Sequence, residues 1–550
     1  MDGQMEPTAE VGRREEDDEE EQSPWKTNGP SVNEDYRSLS LSTTLPSLEE
    51  TVHGMTRPLM FSCVACCLGT SFQSGYNLGV LNAPQKIIED FLGDVHFSRT
   101  GQPLAADLLT WLFAIIVSIF CIGAIFGGLA AGPLANHFGR KGAMLLNNLF
   151  TIVAGLMFCL SKTAMSYEML VVGRFVAGFS AGISTAIGPL YVSEVAPMSI
   201  RGAVGCLSQF TIILGILTSM ILGLPSILGT ADLWPALLGF SMAPAFLQLI
   251  LMPFCPETPR FLLITKEDSE GAKRALTTLR STKNVSRDIE EMIAETALYN
   301  RMTKVSIGGL FKYKDLRQQT IVSVMLQLSQ QFSGIGAIAF YSTSFFQSAH
   351  LSPEQASYGT ISVFIVNAIM TFVAMMVMDR MGRRTLQLYG LAGMWAASML
   401  ITISFLFKEQ WPEFSYLLIV FTIIYVMVYA IGPGPIPWFM VAEFFPQGSR
   451  GAAVSLAVIC NWLSAFIIGM IFPWMQGGLG DYVFLPFAAL LAAFWLFTYL
   501  KVPETRRRTI VEITSMFQGG DIRGSGLVVN REGYQECVNY DSTSYRALVD

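Results

Sequence analysis

Charge is what this chain has little of. Charged residues make up 14% of its 550 positions, against about a quarter in an ordinary soluble domain. Half of the residues are hydrophobic (51%) and the mean hydropathy is +0.44. That excludes a soluble globular protein and points to an integral membrane one. Histidine is scarcer still. The four are His53, His96, His137 and His350, and none falls mid-way along an apolar run, so no histidine proton relay is expected. The nine cysteines do not pattern as a disulfide framework; Cys63, Cys66 and Cys67 lie inside an apolar run, where small buried thiols are the expected role. No nucleophile–base constellation, phosphate loop or metal-ligand spacing is present, so neither an enzyme nor a cofactor is expected. No cleavable signal pattern opens the chain, and the first apolar span is expected to do the targeting. The net charge of −7 says little about partners, because much of the acid sits near the start, in the run Glu15–Glu21 (EEDDEEE).

What the chain has instead is long apolar runs. A helix needs about 20 apolar residues to cross a bilayer, and about twelve stretches qualify. They are 58–82, 108–131, 143–161, 168–191, 203–226 and 234–254, then 317–348, 358–378, 386–407, 414–442, 452–475 and 482–501. The fold class is therefore an all-α membrane protein. A polar segment separates the sixth stretch from the seventh, with helix-like patterning in Asp268–Arg280 and Ile289–Arg301. The expected organisation is a disordered acidic tail over 1–57, a six-helix half over 58–254, a cytoplasmic helical linker over 255–316, a second half over 317–501 and a second tail over 502–550. Lys and Arg concentrate after even-numbered spans, at Arg140/Lys141, Arg201, the linker, Arg383/Arg384, Arg450 and Arg506–Arg508. The positive-inside bias then places both termini in the cytoplasm. The one clear N-glycosylation sequon, Asn284-Val285-Ser286, falls on that side and is expected to be unused.

The chain also repeats itself. Gly139-Arg140-Lys141 returns as Gly382-Arg383-Arg384, Glu194 and Arg201 return as Glu443 and Arg450, and PETPR at 256–260 returns as PETRRR at 503–508. The offsets are 243, 249 and 247 residues. A near-constant offset means two homologous halves, and parallel halves around a mid-bilayer site describe an alternating-access transporter. Charges near membrane helix ends are costly unless paired, and here acids and bases are duplicated together. The set is Arg140, Arg174, Glu194, Arg201, Glu257 and Arg260, then Arg383, Arg384, Glu443, Arg450 and Glu504. Ion pairs among them are expected to hold the cytoplasmic ends of the halves together and to break when that side opens. Static caps are the plainer alternative.

One apolar stretch, Leu326–Phe346, carries Gln327, Gln330, Gln331, Ser329, Ser333 and Tyr341. The three glutamines stand at i, i+3 and i+4 and share a helix face. Unpaired amides in hydrocarbon cost several kcal/mol each, so they must face protein, water or a ligand. Interhelical glue is the bland role; three stacked amides favour a binding face for a neutral, hydroxyl-rich solute.

With Gln327–Gln331 (QLSQQ), GPGPIPW at 432–438 and PETRRRT at 503–509, these motifs resemble the sugar porter family of the major facilitator superfamily. More narrowly, they resemble the animal class I facilitative glucose transporters, over residues 58–516. The resemblance implies the major facilitator fold, with twelve transmembrane helices in two six-helix halves, in a multi-pass plasma-membrane protein. It implies a hexose and the lipid bilayer as partners, no nucleic acid, and tails long enough for cytoplasmic partners. By position, it implies that Gln209, Gln330, Gln331 and Asn367 bond sugar hydroxyls. Ile212, Ile216 and Ile335 would pack on the ring, and Trp438 and Trp462 would line the pocket. Amides suit hydroxyls, and an indole face suits the C–H face of a pyranose. Gly336, Ala465 and Ala430 stand where the family has two asparagines and a gating glutamate, which leaves affinity and hexose preference open.

Proton-coupled sugar porters carry an aspartate in a GYD sequence of the first span; here the stretch reads Gly75-Tyr76-Asn77. An amide cannot take up and release a proton at physiological pH. Passive uniport is therefore expected, and QLS at 327–329 with Trp438 resembles the glucose-type members of the family, which implies D-glucose first and galactose next. The alternatives are a proton-coupled or fructose-preferring sugar porter, and a non-transporting sugar receptor that signals through its tails.

Overall fold

Two glycines at positive φ stand at equivalent places in the two repeated motifs. Gly139 stands at φ 81°, ψ 173° within Ala106–Ser161, and Gly382 at φ 94°, ψ 153° between Pro353–Met381 and Arg383–Phe407. Glycine takes positive φ without a steric penalty, so the chain reverses at one residue. Each also leaves room for a carboxylate: a Cβ at Gly139 would lie 2.2 Å from Glu257 Oε2, and one at Gly382 2.6 Å from Glu504 Oε2. Glu257 accepts from the backbone N–H groups of Arg140 (3.2 Å), Lys141 (3.1 Å) and Thr258 (2.8 Å). Glu504 accepts from those of Arg383 (2.8 Å) and Thr385 (3.4 Å). An acid on the first N–H groups of a helix satisfies orphan donors and complements the dipole. The repeated GRK/GRR and PETPR/PETRRR motifs are thus one turn-and-cap device used twice.

The computed structural model describes residues 54–517 apart from 198–199, 291, 294–304, 446, 507, 509–512 and 514–515, and these fall in one compact unit that begins after residue 52. The regular elements among them are helices: α1 Arg57–Cys67, α2 Gln73–Gly79, α3 Gln85–Thr100, α4 Ala106–Ser161, α5 Tyr167–Val195, α6 Arg201–Leu222, α7 Trp234–Gly239, α8 Met242–Leu251, α9 Pro259–Ile264, α10 Ser269–Arg280, α11 Ile307–Lys312, α12 Lys314–Gln330, α13 Gly336–Gln347, α14 Pro353–Met381, α15 Arg383–Phe407, α16 Glu413–Ile431, α17 Ile436–Phe444, α18 Gln447–Leu479 and α19 Leu485–Lys501. Eight helical segments are long and apolar enough to cross a membrane. One of them, α4, is two passes joined at Gly139. Leu207–Leu222 and Leu485–Lys501 are shorter apolar helices, and Arg57–Gly79 is a further pass interrupted by a π turn at Leu68–Phe72. These account for the twelve apolar stretches. The seventh pass is interrupted in the same way, by a π turn at Gln331–Ile335.

Close backbone crossings hold the passes together. A Cβ at Gly178 would meet Phe120 O at 1.9 Å, and one at Gly127 would meet Phe179 O at 1.9 Å, the small-residue contact that van der Waals packing in lipid favours. Apolar side chains then form three cores. The largest joins both halves, with Tyr76, Phe113 and Phe120 packed alongside Ile338, Tyr341 and Phe472. The other two lie at the end that carries the Arg-rich turns, one within each half: Cys66, Met144 and Tyr191 in the first, Leu316, Met440 and Phe444 in the second. The halves thus share a core toward one end (the far end) and pack separately at the other (the basic end).

The segment between the halves is shared out between them. Asp268 caps α10 by accepting from Gly271 N (2.8 Å), and α10 docks on the first half through Arg280 Nη1 to Val195 O (2.8 Å) and Thr56 Oγ1 to Leu279 O (2.5 Å). Past residue 304 the chain belongs to the second half, where Val305 N bonds Gly448 O (3.2 Å) and Leu310 enters the core. Most of the stretch read as a helix over Ile289–Arg301 lies outside the described residues, as do residues 1–53 and 518–550 of the tails.

Candidate functional site

The seventh pass supplies the polar centre. Its π turn contains Gly334 at φ 97°, and the looser winding leaves the Ser333 carbonyl to accept from Tyr425 Oη. Four amides meet at its start, three from this pass and Asn461 from α18. Asn461 Nδ2 donates to Gln327 Oε1 (2.9 Å) and Gln330 Oε1 (2.5 Å), and Asn461 Oδ1 accepts from Gln331 Nε2 (3.2 Å). Gln330 Nε2 donates to the carbonyls of Pro433 (3.2 Å) and Gly434. Those carbonyls lie in the 432–435 break between α16 and α17, and the residue four beyond Pro433 is Pro437, which carries no N–H to occupy the Pro433 carbonyl. Gln330 is therefore engaged by protein at both ends of its amide. Gln331 is half-buried and its carbonyl oxygen makes no described hydrogen bond, so it is the member of the pair open to a solute. A Cβ at Gly336 would lie 3.7 Å from that oxygen and meet nothing closer than 3.5 Å, which leaves room beside it.

Apolar walls come from both halves. Ile216, Ile335 and Trp462 belong to the shared core, with Ile212 packed against it. The α6 helix lies on the first pass at Gly75, where a Cβ would meet Ile212 O at 1.9 Å. Trp462 meets Phe120 of the first half edge-on, ring centroids 5.9 Å apart. Gln209 is half-buried on α6, and Trp438 is half-buried on the first turn of α17. Asn367 is buried on α14, where its Oδ1 accepts from Thr371 Oγ1 at 3.5 Å. Among the described contacts, none links Gln209, Asn367 or Trp438 to the amide cluster. Asn461 was missed in the sequence although it is an amide in an apolar run beside Trp462. Asn82 was missed too. It sits at the far end of the first pass, wholly enclosed, with Nδ2 donating to Ile338 O (3.4 Å), Ala339 O (2.9 Å) and Ser342 Oγ (2.9 Å), and Oδ1 accepting from Thr343 N (3.0 Å).

The charged set needs two corrections. Arg174 is not at the basic end. It lies near the start of α5, two to three turns from the far end, fully buried, donating to the carbonyls of Asn77 (2.7 Å), Ile116 (3.2 Å) and Val117 (3.4 Å), with Phe120 stacked 4.6 Å away. Nor do the described ion pairs tie the halves together. Arg140–Glu194 (2.9 Å) lies within the first half and Arg383–Glu443 (3.2 Å) within the second. Both are present while the basic ends pack separately, because each pair joins neighbouring passes of its own half. Thr505 Oγ1 extends the second pair to Glu443 Oε2 (2.5 Å). Arg384 Nη2 bonds Tyr499 O (2.7 Å), Arg450 Nε bonds Phe445 O (3.3 Å), and Arg260 is half-buried at the start of α9. The side chain of Arg201 lies outside the described residues. Burial raises the Glu257 carboxyl above its usual range, opposed by the N–H groups of Thr258, Lys141 and Arg140.

Two repeated halves, broken passes at a polar centre and a core shared at one end define a membrane transporter of the alternating-access type. The profile of the family described as "Sugar (and other) transporter" matches residues 62–517, and the chain belongs to that family. It is 45% identical over 465 residues to facilitated glucose transporter member 3 of Ovis aries, covering 84% of this chain and 94% of the relative. It is 46% identical over 466 residues to member 1 of Gallus gallus, covering 85% and 94%, and 44% identical over 465 residues to member 3 of Homo sapiens, covering 84% and 93%. Among solved structures, the xylose transporter XylE of E. coli in a partially occluded inward-open conformation superposes with TM-score 0.70 at 23% identity, over 82% of this chain and all of that one. XylE bound to 6-bromo-6-deoxy-D-glucose gives 0.68 at 24% identity, over 84% and 99%. The fold is the major facilitator fold of two six-helix halves, and the protein is a multi-pass membrane transporter.

Proposed function

We propose that this chain carries hexose passively across the plasma membrane, D-glucose first and galactose second, by rocking its two halves about a central site. Both termini and the basic end face the cytoplasm in this reading, as the distribution of Lys and Arg supports. The sugar hydroxyls meet Gln331 first, with Gln330, Asn367 and Gln209 completing the set as the halves close, and Ile212, Ile216, Ile335, Trp438 and Trp462 cover the ring. The observation that carries the reading is the Gln327–Gln330–Gln331–Asn461 amide cluster beside the shared core, in a chain matching glucose transporters over nearly their whole length. In this orientation the described state is closed outside, held by Asn82, and parted inside. Arg140–Glu194 and Arg383–Glu443 brace each half as a rigid body. Uniport follows from Asn77. Its side chain donates to Gln73 O (3.0 Å) and offers no proton, and Arg174 rests on carbonyls.

Tracer uptake into proteoliposomes tests this. Glucose is expected to equilibrate at the same rate with and without an imposed pH gradient. Accumulation driven by protons would overturn uniport, fructose uptake outrunning glucose would overturn the substrate, and binding without flux would leave a receptor.

A further inference from the structure

The seventh pass carries buried polar groups beyond the hexose site. Gln319, Ser323 and Gln327 follow one another at i, i+4 and i+8 on α12, each about 6 Å along the axis and roughly 40° round from the last. Gln319 and Gln327 are wholly buried and Ser323 is 4% exposed. Yet both amide atoms of Gln319, the Ser323 hydroxyl and Nε2 of Gln327 have no hydrogen-bond partner in the protein. Buried polar atoms in native proteins find partners in protein or in ordered water, so four orphans along one helix face point to a ligand. Their chemistry identifies it. The two Nε2 groups donate, Gln319 Oε1 accepts and the hydroxyl does both, which suits neither a cation nor an anion but suits water. A water bonded at about 2.8 Å on either side bridges roughly 5.5 Å, close to one four-residue step.

We propose that Gln319, Ser323 and Gln327 hold a file of ordered water inside the second half, and that this file positions the amides of the hexose site. At its inner end Gln327 presents Oε1 to Asn461 Nδ2, and Asn461 in turn holds Gln330 and Gln331. A water on Gln327 Nε2 fixes that orientation; a flipped amide would set donor against donor. The positioning role rests on the hexose-site reading above, whereas the water file does not.

The test uses the full chain in lipid nanodiscs. High-resolution cryo-electron microscopy is expected to show water peaks within hydrogen-bond reach of Ser323 Oγ and Gln327 Nε2. Gln319→Met and Ser323→Ala are each expected to lower the unfolding midpoint, and Ser323→Ala to raise the hexose Kd about fivefold. A stripe without water peaks, in which the Met and Ala variants raise the midpoint, overturns the file. Water peaks with unchanged hexose affinity in both variants overturn the positioning role. Gln330→Ala serves as the control: normal hexose binding there defeats the hexose-site reading, while density and midpoints still decide the file.

Discussion

Gln330 shows why a residue's place in the sequence and its work in the fold are different questions. Its polarity inside an apolar run was legible, and so was the face it shares with Gln327 and Gln331. Its partners were not, because Pro433, Gly434 and Asn461 lie more than a hundred residues away and nothing local names them. The amide stabilises a broken helix and a neighbouring amide as well as any solute. Gln330→Ala is therefore expected to weaken hexose binding by about 1–3 kcal/mol, read by equilibrium binding to the purified protein, with unchanged affinity removing it from the site. Asn77 and Arg174 make a second residue-scale case. The guanidinium touches the Asn77 carbonyl (2.7 Å) and its other described acceptors are carbonyls too. Asn77→Asp would put an acid beside that cation, and uptake is expected to become pH-dependent between about pH 5 and 8, measured in proteoliposomes. Flat pH dependence would separate Arg174 from any proton coupling.

At the scale of elements, the duplicated motifs were the most readable feature of the chain, since a constant offset survives without knowledge of contacts. What they build was not readable. Charge duplication suggested bonds between the halves, whereas the acids instead cap helix starts and pair with neighbouring passes. Glu257 offers a test with a definite sign. Burial places its folded pKa above the unfolded value, so its contribution to stability is full below the unfolded value and is lost as pH rises through the folded one. Glu257→Gln stays uncharged throughout. The unfolding midpoint of the natural protein relative to this variant is expected to improve as the pH falls from neutrality toward the ordinary carboxylate range. A gap that shrinks instead would show that the backbone N–H groups outweigh burial. The π turns in the first and seventh passes were hidden from sequence reading, because Gly69 and Gly334 signal only a weak point in a helix, not which winding replaces it.

For the whole molecule, twelve passes followed from apolar run lengths and two halves from the repeated motifs, but which ends meet did not, since nothing along a pass names its partner in the other half. The packing supplies it: one core joins the halves at the far end and two separate cores lie at the basic end. Asn82 is the described hydrogen-bonding link across that seam. Asn82→Ala is expected to shift the balance toward the outside-open state by about 1–3 kcal/mol. Labelling of Ala339→Cys by a membrane-impermeant thiol reagent would rise accordingly, and an unchanged rate would place the closure elsewhere.

That seam also sets how the protein responds to heat. Four hydrogen bonds converging on one enclosed side chain must be released together, so unfastening absorbs heat while refastening releases it. Cooling would then slow the outward swing more than the return, leaving the carrier stalled with its empty site turned inward. In the cold, the maximal rate of influx into sugar-free vesicles would then fall further than that of efflux into sugar-free medium, while the two fluxes at equal concentrations stay equal.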